Sequence, residues 1–340
     1  MRWKWILGIT AGVVLAFLII IIIIVSTYEF NKLKPQITGI VKEYTGRELT
    51  IAGDIKLGLS LYPTLEMNNI AFQNATWGSR PEMVTIKQIE IQVALLPLIR
   101  GDIKVKNLLL IEPDYIIEID KSGKTNMEFE VPEKPPTEAE EKVPEEHIAA
   151  IFGFKDISVK NGKLTFYDHR DNSKNVLILE EYIRKAADFR AESEMELLGS
   201  YNNYPIKVQG KVGSLANIFD FSEKWDVHLS ANAFESNITV TGSILNVMNL
   251  KGIDLNLSVK GDDLARLEKV TRKPLPIKGP FSVSGHLVAS TLDKIEISEI
   301  SILLGESKIG GSVTIDQSSE KPRITANLTA ETLDLRSIIA

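Results

Sequence analysis

Beyond residue 204 apolar and polar side chains alternate strand after strand, and that period of two constrains the fold more than anything else in the chain. Ile206, Val208, Gly210 and Val212 share one face, as do Val227, Leu229 and Ala231. The same holds for Ile238, Val240, Gly242 and Ile244, and for Ile253, Leu255, Leu257 and Val259. Phe281, Val283, Gly285 and Leu287, then Ile309, Gly311, Val313 and Ile315, and finally Ile324, Ala326, Leu328 and Ala330 continue it. Successive side chains of a strand point to opposite faces, so each segment buries one face and wets the other, as antiparallel sheets do. The expected fold class is mainly β, a long and strongly curled antiparallel sheet with few short helices. Its apolar face either closes over its own core or stays open as a groove; the periodicity is the same in both cases. Val240-Thr241-Gly242-Ser243-Ile244 resembles Ile309-Gly310-Gly311-Ser312-Val313, a degenerate repeat of strand units. Only 262–270 interrupts, with a helical turn through Leu264, Leu267 and Val270.

The amino-terminal end obeys another rule. Ile6 to Val25 carries no charge, and positions 19–24 are all isoleucine. About 20 helical residues span about 30 Å, the thickness of a bilayer's hydrocarbon core, where a backbone must satisfy its own hydrogen bonds. Trp3, Trp5 and Tyr28 flank the run as interfacial rings do. A cleaved signal peptide would have a shorter apolar stretch and a small-x-small site, which Val25-Ser26-Thr27-Tyr28 does not supply. The run therefore reads as an uncleaved transmembrane anchor, and Arg2 and Lys4 keep the short flank 1–5 cytoplasmic.

Leu33, Ile37, Ile40, Val41 and Tyr44 follow at helical spacing, so 31–45 reads as a short amphipathic helix with Pro35 in its first turn and Gly46 as its stop. The block 47–129 is predominantly β: a run broken at Ala52-Gly53-Asp54, a strand from Met83 to Leu96, and segments after the Arg100-Gly101-Asp102 turn and after Pro113. Glu130 to Glu146 holds seven glutamates, two lysines and four prolines and has almost nothing to bury, so it reads as a disordered linker or exposed insertion. Ile151 to Tyr167 is expected to form short strands about a hairpin turn at Asn161-Gly162. For 176–200 a brief helix or loop followed by a strand is expected. The organisation is thus a flank (1–5), an anchor (6–25), an α+β region (26–129), an acidic linker (130–147) and a repetitive β region (148–340).

Composition removes whole classes of function. The chain has no cysteine, which excludes disulfides, thiolate metal sites and thiol catalysis. With 39 basic against 45 acidic residues in the 340 and no concentrated basic face, nucleic acid is not an expected partner. No Walker A loop, dinucleotide-binding turn, G-x-S-x-G elbow or H-E-x-x-H sequence occurs, and Gly310-Gly311-Ser312 sits inside a strand. His169, within Asp168-His169-Arg170-Asp171, reads as part of a solvated turn, His228 and His286 as wet-face residues, and His147 as part of the linker. Glu112, Asp114, Glu118 and Asp120 follow ordinary strand alternation, without a calcium-loop pattern. No catalytic residue, metal ligand or cofactor is expected, and the chain is read as a non-enzyme.

One resemblance sharpens this. Thr45-Gly46-Arg47-Glu48-Leu49-Thr50-Ile51 with Gly53-Asp54-Ile55, then Tyr62-Pro63-Thr64-Leu65 and Asn69-Ile70-Ala71-Phe72-Gln73-Asn74-Ala75, resemble the start of the AsmA family. Leu95-Leu96-Pro97-Leu98, Gly101-Asp102-Ile103, and Pro113-Asp114 leading to Asp120, Gly123 and Asn126 continue the likeness, as does 250–336 with Leu333-Asp334-Leu335. Met127 departs from it, standing where the family often has tryptophan. The resemblance implies a single-pass protein of the bacterial inner membrane with its bulk in the periplasm. It also implies a taco-like β-groove, as in bridge-like, chorein-type lipid transfer proteins, and phospholipid transfer between inner and outer membrane in support of outer-membrane biogenesis. Family members are often longer, so this is read as a short member or a part of one. The candidate lipid-groove residues are Ile238, Val240, Leu255, Leu257, Val283 and Val313. The expected partners are a phospholipid or other acyl-chain ligand, the inner membrane through the anchor, and envelope proteins. The competing reading is a structural or assembly scaffold of the envelope, using the wet sheet edge and the 130–146 insertion.

Overall fold

The computed structural model describes residues 29–58, 62–93, 105–129, 154–219, 223–247, 250–268, 279–318 and 322–334. The expected anchor (6–25) and acidic linker (130–147) lie outside the described residues. Among those described, no helix is long and apolar enough to cross a membrane. Sixteen strands dominate the described residues, so the chain is mainly β, and the pairings among the first five strands and from the seventh to the sixteenth in chain order are antiparallel. The described residues fall into two compact units: the first runs to 129 and adds 167–173, and the second holds 154–166 and everything from 174 on.

In the first unit a single 3-10 turn, Phe30–Leu33, leads into the helix Lys34–Thr45. Pro35 lies where a helix N–H has no partner to lose, and Gly46 ends the helix at φ 69° with its N–H on the Lys42 carbonyl at 2.8 Å. Strands β1 (Leu49–Ile51) and β2 (Ile55–Gly58) both pair with β3 (Thr64–Gln73), which pairs with β4 (Glu82–Val93), and β4 pairs with β5 (Val105–Ile119). The core gathers Ile51, Ile55 and Ile70, and the helical segment lays Phe30, Leu33 and Ile37 against it. Asn31 fixes the approach: its amide donates to Asp54 at 3.1 Å and its carbonyl oxygen accepts from the Ile55 N–H at 3.0 Å. β5 passes straight through Pro113, with Glu112 at φ 49° beside it, instead of breaking there.

In the second unit β6 (Asp156–Asp168) neighbours β7 (Ser173–Ala186). From β7 each strand pairs with the next in sequence, through β8 (Ser193–Tyr201), β9 (Tyr204–Val212), β10 (Trp225–Ala233), β11 (Ser236–Asn246) and β12 (Lys251–Gly261). The meander ends with β13 (Phe281–Thr291), β14 (Lys294–Leu304), β15 (Ser307–Asp316) and β16 (Arg323–Thr332). Two expectations fail here. Asn161 and Gly162 make no hairpin turn: β6 is continuous, and Asn161 at φ 53° instead kinks it, leaving Lys160 and Asn161 both exposed between buried Val159 and Gly162. Likewise 176–186 is strand, not helix or loop. A register shift between Leu179 and Glu181 puts Leu179, Tyr182, Arg184 and Ala186 on one face, and the enlarged step imitates a helical repeat.

Candidate functional site

Residues directly opposite each other on antiparallel strands share a face, so the register of the second unit defines its apolar surface. One row starts at Tyr182 and Leu197, passes through Val208, Ala231, Ile238 and Val259, and ends at Val283, Ile302, Ile309 and Ala330. Beside it Leu229, Val240 and Leu257 are aligned, with Gly285 next. A further row holds Leu255, Leu287, Ile297, Val313 and Ala326. All six groove candidates therefore lie on this one face. Ile238 and Val283 are each opposite Val259, Val240 meets Leu257, and Leu255 and Val313 are linked through Leu287 and Ile297.

The face is closed near its margins and open between them. Val212, Val227, Ala233, Ile253, Phe281 and Ala289 are buried, each near a strand end. None of the six candidates is buried, and Val283 is 37% exposed. Ile297 and Ile302, which complete the rows, belong to β14, a strand missed in the alternation. Register shifts next to Ser284 and Ile297 interrupt its regular phase. A buried charge on the face is Arg184, 2% exposed and opposite Met195; burial pushes its guanidinium down from the ordinary value. It donates to the carbonyls of Phe154 and Lys155 at 3.4 and 3.3 Å. The opposite face is polar, carrying exposed His228 and, at its edge of burial, His286, whose Nε2 lies 2.7 Å from an Asp254 oxygen.

The first unit contains a different assembly, a buried polar cluster about Glu118. This carboxylate has no solvent exposure and accepts from Asn74 Nδ2 at 2.8 Å and from the Ser79 N–H at 3.0 Å. His169 Nε2 approaches its other side at 3.0 Å, with Tyr167 against the ring at 4.1 Å between centroids. Asn126, also fully buried, accepts from the Glu118 N–H at 2.9 Å and donates to Asn74 Oδ1 at 2.9 Å and the Ile116 carbonyl at 3.0 Å. Burial alone would push the Glu118 carboxyl up. The hydrogen bonds from Ser79, Asn74 and His169 outweigh it and hold the group below its ordinary value. It is thus ionised at neutral pH, and His169 Nε2 carries the donated proton. His169 begins the expected turn, whose next residues Arg170, Asp171 and Asn172 are exposed, but its own side chain, only 22% exposed, turns inward as a structural partner of Glu118. Every oxygen of the cluster is used in holding chain segments together. Among the described residues no group of three or more His, Asp or Glu side chains converges as metal ligands would.

A sequence profile of the AsmA family matches residues 3–196, more than half of the chain. The chain belongs to the AsmA family. It is also similar to the AsmA family protein YhjG of Escherichia coli (strain K12), at 23% identity over 369 residues. That similarity takes in 97% of this chain and 52% of YhjG, so the chain spans about half the length of this relative. The AsmA-like motifs of the first unit are not scattered over it. Asn74 and Asn126, from two separate motifs, clasp Glu118 between them. Arg47, from the first motif, donates to the Asn126 carbonyl at 2.6 Å and the Glu128 carbonyl at 3.1 Å and lies over the Phe129 ring. Asp120 binds the backbone of Ser122 and Lys124 in the turn made by Gly123 at φ 92°. In this AsmA unit the motif residues are the polar ties that hold the end of β5 and the 120–129 segment to the 74–79 turn and to Arg47, just after the helix Lys34–Thr45.

Proposed function

We propose that this AsmA family protein binds phospholipid acyl chains on the apolar face of its second unit and passes them along it without chemical change. On this reading it works from the bacterial inner membrane, held by the 6–25 anchor with its bulk in the periplasm, and moves lipid toward or from the outer membrane in support of outer-membrane biogenesis. The observation that carries the reading is the continuous apolar row from Leu197 to Ala330, whose members between the buried margins keep solvent exposure. Every methylene moved from water onto such a surface gains about 0.8 kcal/mol, so an acyl chain is held firmly without any specialised contact. Rows running across the strands also suit movement, because one aliphatic side chain resembles the next and no position is a deep minimum. The family membership supports an envelope role of this kind.

The test is to purify the full chain in a detergent exchanged to remove loosely held lipid and to extract and weigh what stays bound by mass spectrometry. Phospholipid in a constant ratio to protein is expected, and its displacement by a photoreactive acyl probe that labels Ile238, Leu257 or Val283. Lipid-free protein, or labelling restricted to the 6–25 run, would overturn the reading.

A further inference from the structure

The apolar row through Leu229, Val240 and Leu257 changes character when it is followed toward β7. Leu229 lies opposite Gly210, Gly210 opposite Met195, and Met195 opposite Arg184. The neighbouring row reaches β7 two residues earlier, at Tyr182 opposite Leu197. Two aliphatic tracks thus arrive side by side on one strand, about 7 Å apart, one at a phenol and the other at a guanidinium. Burial raises the Tyr182 phenol, and the Arg184 charge opposes that rise through space.

Among the described residues no carboxylate bonds to this guanidinium, and Asp156 acts on it only through space. Its hydrogen bonds to the Phe154 and Lys155 carbonyls, at 3.4 and 3.3 Å, both leave from Nη1. Both are longer than the usual range of about 2.7–3.2 Å. Nη2, on a side chain only 2% exposed, has no hydrogen-bond partner among the described residues. Ser193 stands diagonal to Arg184 across the β7–β8 pair, on the same face and with no solvent exposure. Its hydroxyl also has no partner among the described residues. Buried charges are normally paired with an opposite charge and buried hydroxyls with a hydrogen-bonding group, so this end of the face is built for an anionic acceptor.

We propose that Arg184 binds a phosphate group where the two aliphatic tracks reach β7. A guanidinium presents a planar fork that pairs phosphate oxygens two at a time. A phospholipid joins one phosphate to two acyl chains, which matches one guanidinium at the head of two adjacent tracks. Tyr182, Met195 and Leu197 beside it are half-buried, so a headgroup moving along the face reaches the guanidinium from their side and displaces the two long carbonyl bonds. Free phosphate offers the same chemistry without the chains. The assignment rests on the acyl-binding reading of the face and adds a polar anchor to it.

Dioctanoyl phosphatidate and dioctanoylglycerol differ only in the phosphate, and both can be titrated calorimetrically into the full chain in detergent. Phosphatidate is expected to bind at least about tenfold tighter. Arg184→Met should reduce that preference to about twofold or less and leave dioctanoylglycerol binding unchanged, since an apolar residue of similar length replaces a buried charge. A residue that merely braced Phe154 and Lys155 would, when replaced, weaken both lipids alike. Should Arg184→Met fail to fold, Arg184→Lys, which keeps the charge but loses the fork, should lower the preference several-fold. Inorganic phosphate, titrated alone, separates the two sources: Arg184-dependent binding of it, with the two lipids bound equally, assigns the site to free phosphate. Equal lipid affinities with no binding of inorganic phosphate overturn the proposal and leave the acyl-binding reading standing, as does a preference that survives undiminished in the variant tested. A chain that binds neither lipid nor inorganic phosphate overturns both.

Discussion

Glu118 Oε1 and His169 Nε2 lie 3.0 Å apart, although 51 residues separate them in the chain, and the carboxylate has no contact with solvent. That bond ties the 167–173 segment to the end of β5 inside the first unit. Replacing Glu118 by alanine removes the acceptor of one buried Asn74 amide hydrogen, of the Ser79 N–H and of the His169 ring; Asn74 keeps its bond to the Arg80 carbonyl, and Ser79 and His169 reach solvent in part. A loss of about 3 kcal/mol in stability is expected, since each buried donor left unpaired costs about 1–3 kcal/mol and neighbours relax in part. Glu118→Gln keeps one oxygen but turns an amide toward donors, and about 1–2 kcal/mol is expected. Urea denaturation followed by tryptophan fluorescence measures both; Trp77 faces His169 edge-on at 6.2 Å.

The same carboxylate sets an acid limit. Its folded value lies below the ordinary 4.5, so as pH falls the unfolded chain takes up the proton first. The stabilisation is therefore complete above the unfolded value and is lost as pH falls through the lower folded one. The stability gap between the natural protein and Glu118→Gln should stay constant from pH 7 to about 5 and narrow below about 4. A gap that widens on acidification would show that the folded state holds the carboxyl protonated.

Much of this architecture is written in local alternation, and the failures have one physical source. Wherever a strand carries an extra residue, the period of two slips and sequence reading goes astray. The bulge at Leu179–Glu181 imitates helical spacing, the kink at Asn161 imitates a hairpin, and the shifts beside Ser284 and Ile297 hide β14. Regular β11 and β12 give the groove candidates their common face directly, because Ile238, Val240, Leu255 and Leu257 never change phase. The Glu118 cluster was beyond reach for another reason. Alternation on β5 marks Glu118 as a wet-face residue, and only the distant partners Asn74, Asn126 and His169 make burying it tolerable.

The repeated Gly242 and Gly311 motifs answer to the same backbone demand. They stand at φ 138° and 147°, and a Cβ on either would overlap a carbonyl oxygen of the next strand, that of Asp254 or Asn327. Gly242→Ala and Gly311→Ala are each expected to cost about 2 kcal/mol or more, through strain and separation of the strands. Gly39 is the contrast. It lies in the Lys34–Thr45 helix with open space where a Cβ would go, so Gly39→Ala should stabilise by up to about 1 kcal/mol. Thermal denaturation of the three variants side by side separates the two kinds of glycine.

Val227 and Val283 test whether the apolar face is open. Val227 is 4% exposed at the margin, and Val283 is 37% exposed in the row with Ile238 and Val259. An aspartate at Val227 must lose its water, and at least about 3 kcal/mol of destabilisation is expected. An aspartate at Val283 keeps a substantial part of its water in an open face, so Val283→Asp should cost clearly less, about 1 kcal/mol. The loss of bound lipid should run the other way, because the charge at Val283 stands in the path an acyl chain would take. A closed, fully packed face would instead make Val283→Asp as damaging to folding as Val227→Asp, and denaturation curves of the two variants distinguish these outcomes before any lipid is added.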